Sequence, residues 1–174
     1  MSTVVLEDAP APAARGQCAD GGPCGEGQRL GEIRLAALPS AAGTARRFAQ
    51  RMLRTWGLDR IDALGDAAEL VTSELVTNAV RAAIQAGQRP GNDAGPRGHR
   101  PGLVIIRLLV LRGSLFVEVW DADPAPPAPR EPAADAESGR GLLLVAALST
   151  AWNHYRLPAG GKVVWAELPA RGRR

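Results

Sequence analysis

The chain has little of what builds metal and redox centres: 2 cysteines and 2 histidines in 174 residues. Cys18 and Cys24 lie in a polar, Gly/Pro-rich segment, and no histidine or third cysteine stands near enough to complete a zinc set. His99 falls in a Gly/Pro/Arg loop and His154 in a strand-like stretch, each without a partner at ligand spacing. No metal site is expected from these residues. Apolar runs fall short of the roughly 18 residues that a membrane span requires. The first residues, Met1 to Asp8, lack a basic segment leading into a long apolar one, so the expectation is a cytoplasmic protein without a secretion signal or membrane partner. In such a compartment two free thiols are the default.

Aromatic residues make up only 4% of the chain, and Lys162 is its only lysine. The net charge of +3 therefore rests on arginines, which are scattered rather than striped with aromatics. That pattern argues against nucleic acid as a partner. The four tryptophans read as core or interface fillers.

The apolar fraction of 45% suits one soluble domain with a proper core. Residues 1–29 are rich in Ala, Pro, Gly and Asp and read as a disordered N-terminal tail. Residues 30–169 form the domain, and 170–174 are a short basic tail. Alternation over Gly31 to Leu38 predicts a strand. Ser40 is a suitable N-cap for a helix from about Ala41 to Thr55, with Phe48, Met52 and Leu53 inward and Gly57 as its stop. A longer helix is predicted over about Ile61 to Gln85. After a Gly/Pro/Asn/Arg loop come two apolar runs, Leu103–Leu111 and Leu115–Asp121, joined at Arg112-Gly-Ser114 as a tight hairpin. The first run is apolar enough for a central strand. A second loop, Ala122 to Ser138, leads into a turn and buried helix over Gly139–Leu148. A last hairpin pairs Trp152–Leu157 with Lys162–Leu168. This order predicts an α+β two-layer sandwich, with a mixed, mainly antiparallel sheet and helices on one face. Alternating βα units, which a doubly wound parallel sheet needs, are missing.

Chemistry concentrates on the second helix. In Glu69-Leu-Val-Thr-Ser-Glu-Leu-Val-Thr-Asn-Ala-Val-Arg81, residues Leu70, Val71, Leu75, Val76, Ala79 and Val80 form an apolar stripe. Glu74 and Asn78 stand one turn apart on one face. An amide oxygen can hold a hard cation such as Mg²⁺, and a carboxylate can take a proton. Asp121 ends an apolar strand, where it can accept a hydrogen bond from the exocyclic amine of a base. Gly139-Arg-Gly141 opens a helix, where glycines let backbone N–H groups approach phosphates. The loop from Ala122 to Ser138 is placed to close as a lid.

Four segments carry a resemblance: Ser73-Glu-Leu-Val-Thr-Asn-Ala-Val80, Val117-Glu-Val-Trp-Asp121, Ser138-Gly-Arg-Gly-Leu-Leu-Leu-Val145 and Gly160-Gly-Lys-Val-Val-Trp165. In this order they resemble the ATP-binding domain shared by gyrase, sensor histidine kinases and MutL-type repair proteins. They are more similar still to single-domain bacterial anti-sigma-factor serine/threonine kinases. The resemblance implies the Bergerat ATP-binding fold and ATP (or ADP) with Mg²⁺ as cofactors. It implies that Asn78 holds Mg²⁺ and that Glu74 is the catalytic carboxylate acting on a substrate serine. Asp121 would read the adenine amine. Gly139 and Gly141 would form the hinge and phosphate-facing turn, and Arg140 would neutralise phosphate charge. Arg81 and Leu142 would also border the nucleotide. Lys162 would either contact phosphate or be an ordinary charge at a strand start. Implied partners are a sigma factor, an antagonist protein phosphorylated on serine, and a second copy of the chain paired through the sheet.

The sequence departs from the family at several positions. Asp123-Pro124 stands where the family has glycine two residues after the adenine-binding Asp, Ala82 where relatives often have His, Lys162 where Thr frequently follows Gly-Gly, and Asn153 where Gly often follows Trp. The alternative reading is therefore a nucleotide-binding interaction module without turnover.

Overall fold

A computed structural model of the chain describes residues 29–87, 102–127 and 141–170. The expected N-terminal tail, both cysteines, His99, the Gly/Pro/Asn/Arg loop, most of the expected lid and the C-terminal tail lie outside these residues. Eight elements follow in the order β1 (Arg29–Ala36), α1 (Ala41–Trp56), α2 (Leu64–Gly87), β2 (Leu103–Leu111), β3 (Ser114–Asp121), α3 (Gly141–Leu148), β4 (Ala151–Arg156) and β5 (Lys162–Pro169). The five strands make one sheet in the order β1-β2-β3-β5-β4. Every pairing among the described residues is antiparallel, so the expected mixed character gives way to a purely antiparallel sheet. The physical reason is in the connections. β2–β3 and β4–β5 are hairpins, and the α3–β4 excursion returns β5 against β3, leaving β4 at the edge.

Alternation along the strands builds two faces. Val104, Ile106, Leu108, Val117, Val119, Val164, Ala166 and Leu168 meet the helices in the main core. On the opposite face Leu109, Phe116 and Trp165 form a smaller apolar cluster, with the Phe116 and Trp165 rings 6.2 Å apart and tilted by 52°. β2 is flanked on both sides, as its apolar run suggests, yet the middle place belongs to β3. The β2–β3 hairpin turns at Arg112 and Gly113, with φ of 53° and 81°. Two left-handed residues in succession match the twist of the strands they join.

The helix signals hold in part. Gly57 closes α1 in the left-handed region (φ 69°), its N–H donating to the carbonyls of Arg54 and Leu53. Ser40 sits at the N-cap but in helical backbone geometry, and its side chain makes no capping bond. An N-cap side chain reaches the first-turn amides from extended backbone, which Ser40 does not adopt. On α2 the apolar stripe is narrower than the sequence suggests. Val71, Leu75, Val76, Ala79 and Val80 are buried, but Leu70 is 44% exposed. It points to the side that neither α1 nor the sheet covers.

Leu108 is fully buried at the centre of the helix-facing core, whereas Leu30 on the edge strand is 62% exposed. Leu108→Ala is expected to lower unfolding free energy by about 2–5 kcal/mol. Leu30→Ala should change it by no more than about 0.5 kcal/mol. Urea denaturation followed by circular dichroism measures both, and equal losses would contradict this assignment of the core.

Candidate functional site

α2 is the element on which the site is built. It packs against α1, α3, β2, β3 and β5. While Val71, Leu75, Val76 and Ala79 hold it to the core, Ser73, Glu74, Thr77, Asn78 and Arg81 share a half-buried polar side. Helical spacing does this unaided, since residues three and four apart stack on one face. The Asn78 Oδ1 accepts a hydrogen bond from the Arg81 guanidinium at 3.4 Å. That length is at the weak limit, so the amide oxygen is only loosely held. From α1, Arg46 reaches the same side, donating to the Ser73 hydroxyl at 2.9 Å and standing 3.6 Å from the Glu69 carboxylate.

α3 supplies the second wall. Its first residue, Gly141, lies directly against the Glu74 carboxylate, and any side chain there would collide with Oε2. A side chain at 141 would make the Glu74 carboxylate shift, and the close approach brings that carboxylate to a helix N-terminus, where the dipole favours negative charge. Leu142 is only 6% exposed and belongs to the main core. What it can present to a ligand is its backbone N–H in the first turn. Gly139 and Arg140 lie outside the described residues.

The third wall comes from the sheet. The β3–β5 ladder sets Asp121 opposite Lys162. Lys162 neither extends to solvent nor marks an ordinary strand start. It is 4% exposed, and its Nζ donates to Asp121 Oδ1 at 2.8 Å and to the Asp123 carbonyl at 2.9 Å. The Asp123 backbone N–H donates to the same Asp121 Oδ1 at 2.9 Å. Asp123 itself is 7% exposed, and its Oδ1 accepts from the Ala125 N–H at 3.2 Å. The start of the loop after β3 is therefore stitched down by its own two aspartates and one lysine. Gly161, at φ 78°, makes this possible, because a side chain there would strike the Asp121 carbonyl oxygen and the Trp120 indole. Burial pushes the Asp121 carboxyl above its ordinary value, and the bond and charge of Lys162 oppose that rise without cancelling it.

The structure thus brings Glu74 to Gly141, Asn78 to Arg81, and Asp121 to Lys162. Sequence reading missed the last pairing, the burial of Asp123 and the reach of Arg46. A signal for the first was present: the chain's only lysine begins one apolar strand and an aspartate ends another. Among the described residues no group of three His, Cys, Asp or Glu could hold a metal ion by itself. A cation here would need oxygen from Asn78 and from a bound ligand. That suits Mg²⁺, which commonly keeps several waters and takes few protein ligands.

This geometry defines a class: an antiparallel α+β sandwich whose long helix carries an amide and a carboxylate, whose short helix begins against that carboxylate, and whose sheet holds a buried Asp–Lys pair. Residues 35–168 match the family described as the histidine kinase-like ATPase domain. The chain belongs to that family. A solved structure of the RsbU and RsbW domains of Rv1364c from Mycobacterium tuberculosis is similar to it in fold, with a TM-score of 0.53 at 21% identity. The match covers 84% of this chain and 34% of that one, so this chain spans about a third of the length of that neighbour. No curated protein sequence matches the chain. No helix of the described residues is long and apolar enough to cross a membrane.

The buried pair yields a stability prediction with a definite sign. The folded-state Asp121 carboxyl titrates above its ordinary 3.8, so its stability contribution is fully present below the unfolded value and is lost as pH rises through the folded one. Lys162→Met removes the opposing cation and raises that carboxyl further. The variant should be less stable than the parent by about 3 kcal/mol or more at neutral pH. The deficit should shrink as pH falls, because a growing share of the carboxyl is then protonated and needs no counter-charge. Denaturant titrations at neutral and acidic pH measure it, and a deficit independent of pH would contradict the pairing.

Proposed function

We propose that the chain is a Mg²⁺- and ATP-dependent regulatory protein serine kinase that acts by partner switching in the control of transcription. The observation that carries this reading is the contact between Glu74 on α2 and Gly141 at the start of α3. It joins a proton acceptor to a helix N-terminus suited to anions, the two functions a phosphoryl-transfer site needs most.

In this reading phosphates would lie at the first turn of α3, where helix amides have no partner within the helix. Asn78 would hold Mg²⁺ through Oδ1, and the Arg81 guanidinium, bonded to that oxygen here, would be free to contact phosphate. The cation supplies charge neutralisation on the phosphate oxygens. Glu74 would accept the proton of a serine hydroxyl from a protein substrate while that oxygen bonds to the γ-phosphorus and the bond from the γ-phosphorus to the β,γ-bridging oxygen breaks, with ADP as the leaving group. Phosphoryl transfer is largely positioning and electrostatics, and α2 supplies both from one rigid face. Asp121 faces the base. Gly139 and Arg140 serve as hinge and phosphate contact. The macromolecular partners are a sigma factor and an antagonist protein, with two copies of the chain pairing through the sheet face that carries Leu109, Phe116 and Trp165.

A second reading, an interaction module that binds nucleotide without turnover, is favoured by one observation. Asp123 is a buried carboxylate where the family has glycine, and its backbone and side chain are both committed to local bonds. Two substitutions separate the readings. Asn78→Ala is expected to abolish Mg²⁺-dependent ATP binding in calorimetry. Glu74→Ala should bind ATP like the parent and transfer no label from γ-labelled ATP to antagonist proteins. An Asn78 variant that binds as well as the parent would remove the metal role. A parent that binds ATP yet labels no antagonist would favour the module.

A further inference from the structure

We infer that Lys162 competes with the base for Asp121: its side chain covers the acceptor that an adenine amine would use, so a nucleotide gains its base contact only by displacing this lysine. The inference rests on the reading above, in which Asp121 faces the base, and concerns what controls access to it.

Strand alternation sets both side chains on the helix side of the sheet. Asp121 comes two residues after Val119 and Lys162 two before Val164, and both valines belong to the main core. The helix that carries Glu74 and Asn78, α2, packs against β3 and β5 on that side. There the Asp121 carboxylate is 1% exposed, and its Oδ1 accepts from Lys162 Nζ at 2.8 Å and from the Asp123 N–H at 2.9 Å. A hydrogen bond to it needs a donor within about 3 Å. No ligand comes so close while the carboxylate stays covered.

The groups around Asp121 differ in how they can yield. The β3–β5 register fixes the backbone of Lys162 opposite Asp121, and the Asp123 donor is itself backbone beside the strand end. The Lys162 side chain, by contrast, is a long flexible stem. Displacing it is an uneven exchange. An ammonium on a carboxylate is a charge-assisted bond, roughly twice as strong as one from a neutral amine. Displacement also takes the counter-charge away from a buried anion. What the base gains at Asp121 is therefore largely offset by what Lys162 loses there, and a nucleotide is held mainly through its phosphates and Mg²⁺. A shorter residue at 162 removes the competitor and opens Asp121 to the base.

The chain has a single lysine, so isotope-labelled lysine gives one Cε signal in the full-length protein. Saturation with Mg·ATP is expected to shift that signal. Mg·tripolyphosphate, which has no base, should leave it in place. Calorimetry should find the parent binding Mg·ATP no more than about tenfold more tightly than Mg·tripolyphosphate, and Lys162→Thr should widen that ratio by about tenfold or more. Thermal melts report whether the variant is folded, and the lysine signal of the parent decides the matter if it is not. A signal unmoved by saturating Mg·ATP, or moved equally by both ligands, overturns this inference and leaves the nucleotide-pocket reading intact. So does a folded Lys162→Thr protein with the parent ratio. Failure of the parent to bind either ligand overturns the pocket reading itself, and this inference with it.

Discussion

Two opposite charges are buried against each other where β3 ends and β5 begins, and much of the site's geometry depends on them. Asp121 is 1% exposed and Lys162 4% exposed. Either charge alone in that place would be costly, because little water remains to solvate it. Together, with the Asp123 carbonyl and N–H completing the set, they fix the loop that leaves β3 and the turn that enters β5.

The second constraint is α2. One side of this helix belongs to the core and is packed by the sheet and two helices, so its polar side has little freedom. Glu74 and Asn78 are held by a rigid element rather than by a loop, and α3 begins at a glycine that lies against the Glu74 carboxylate. A site built this way keeps its spacing when flanking loops move. Two of the four departures from the family pattern, Asp123 and Lys162, are bonded to each other beside the end of β3, while the α2 face keeps its amide and carboxylate.

Much of this was legible in the residues. Apolar runs and turn chemistry give every strand and helix to within a few positions, because burial on two faces at β3 and β5 and on one stripe at α2 imposes strong periodicity. The Arg112-Gly113 hairpin and the Gly57 stop are local events with local signals. What the sequence hid is non-local. The placement of β5 between β3 and β4 depends on the return of the chain after α3, and only that placement sets Lys162 against Asp121. The Ser40 cap failed because its backbone sits in the helical region, from which the side chain makes no capping bond. The exposure of Leu70 shows the same limit: periodicity marks a face, and neighbours decide how much of it is covered.

The central claim is that α2, the end of β3 and the start of α3 border one purine-nucleotide pocket. Amide chemical shifts recorded during a Mg·ATP titration test it most directly. The account predicts one saturable process, with a single dissociation constant, that moves the amides of Glu74, Asn78, Asp121, Asp123, Gly141 and Leu142 together. Absence of saturable shifts there, or shifts confined to the opposite sheet face around Arg107 and Tyr155, would contradict it.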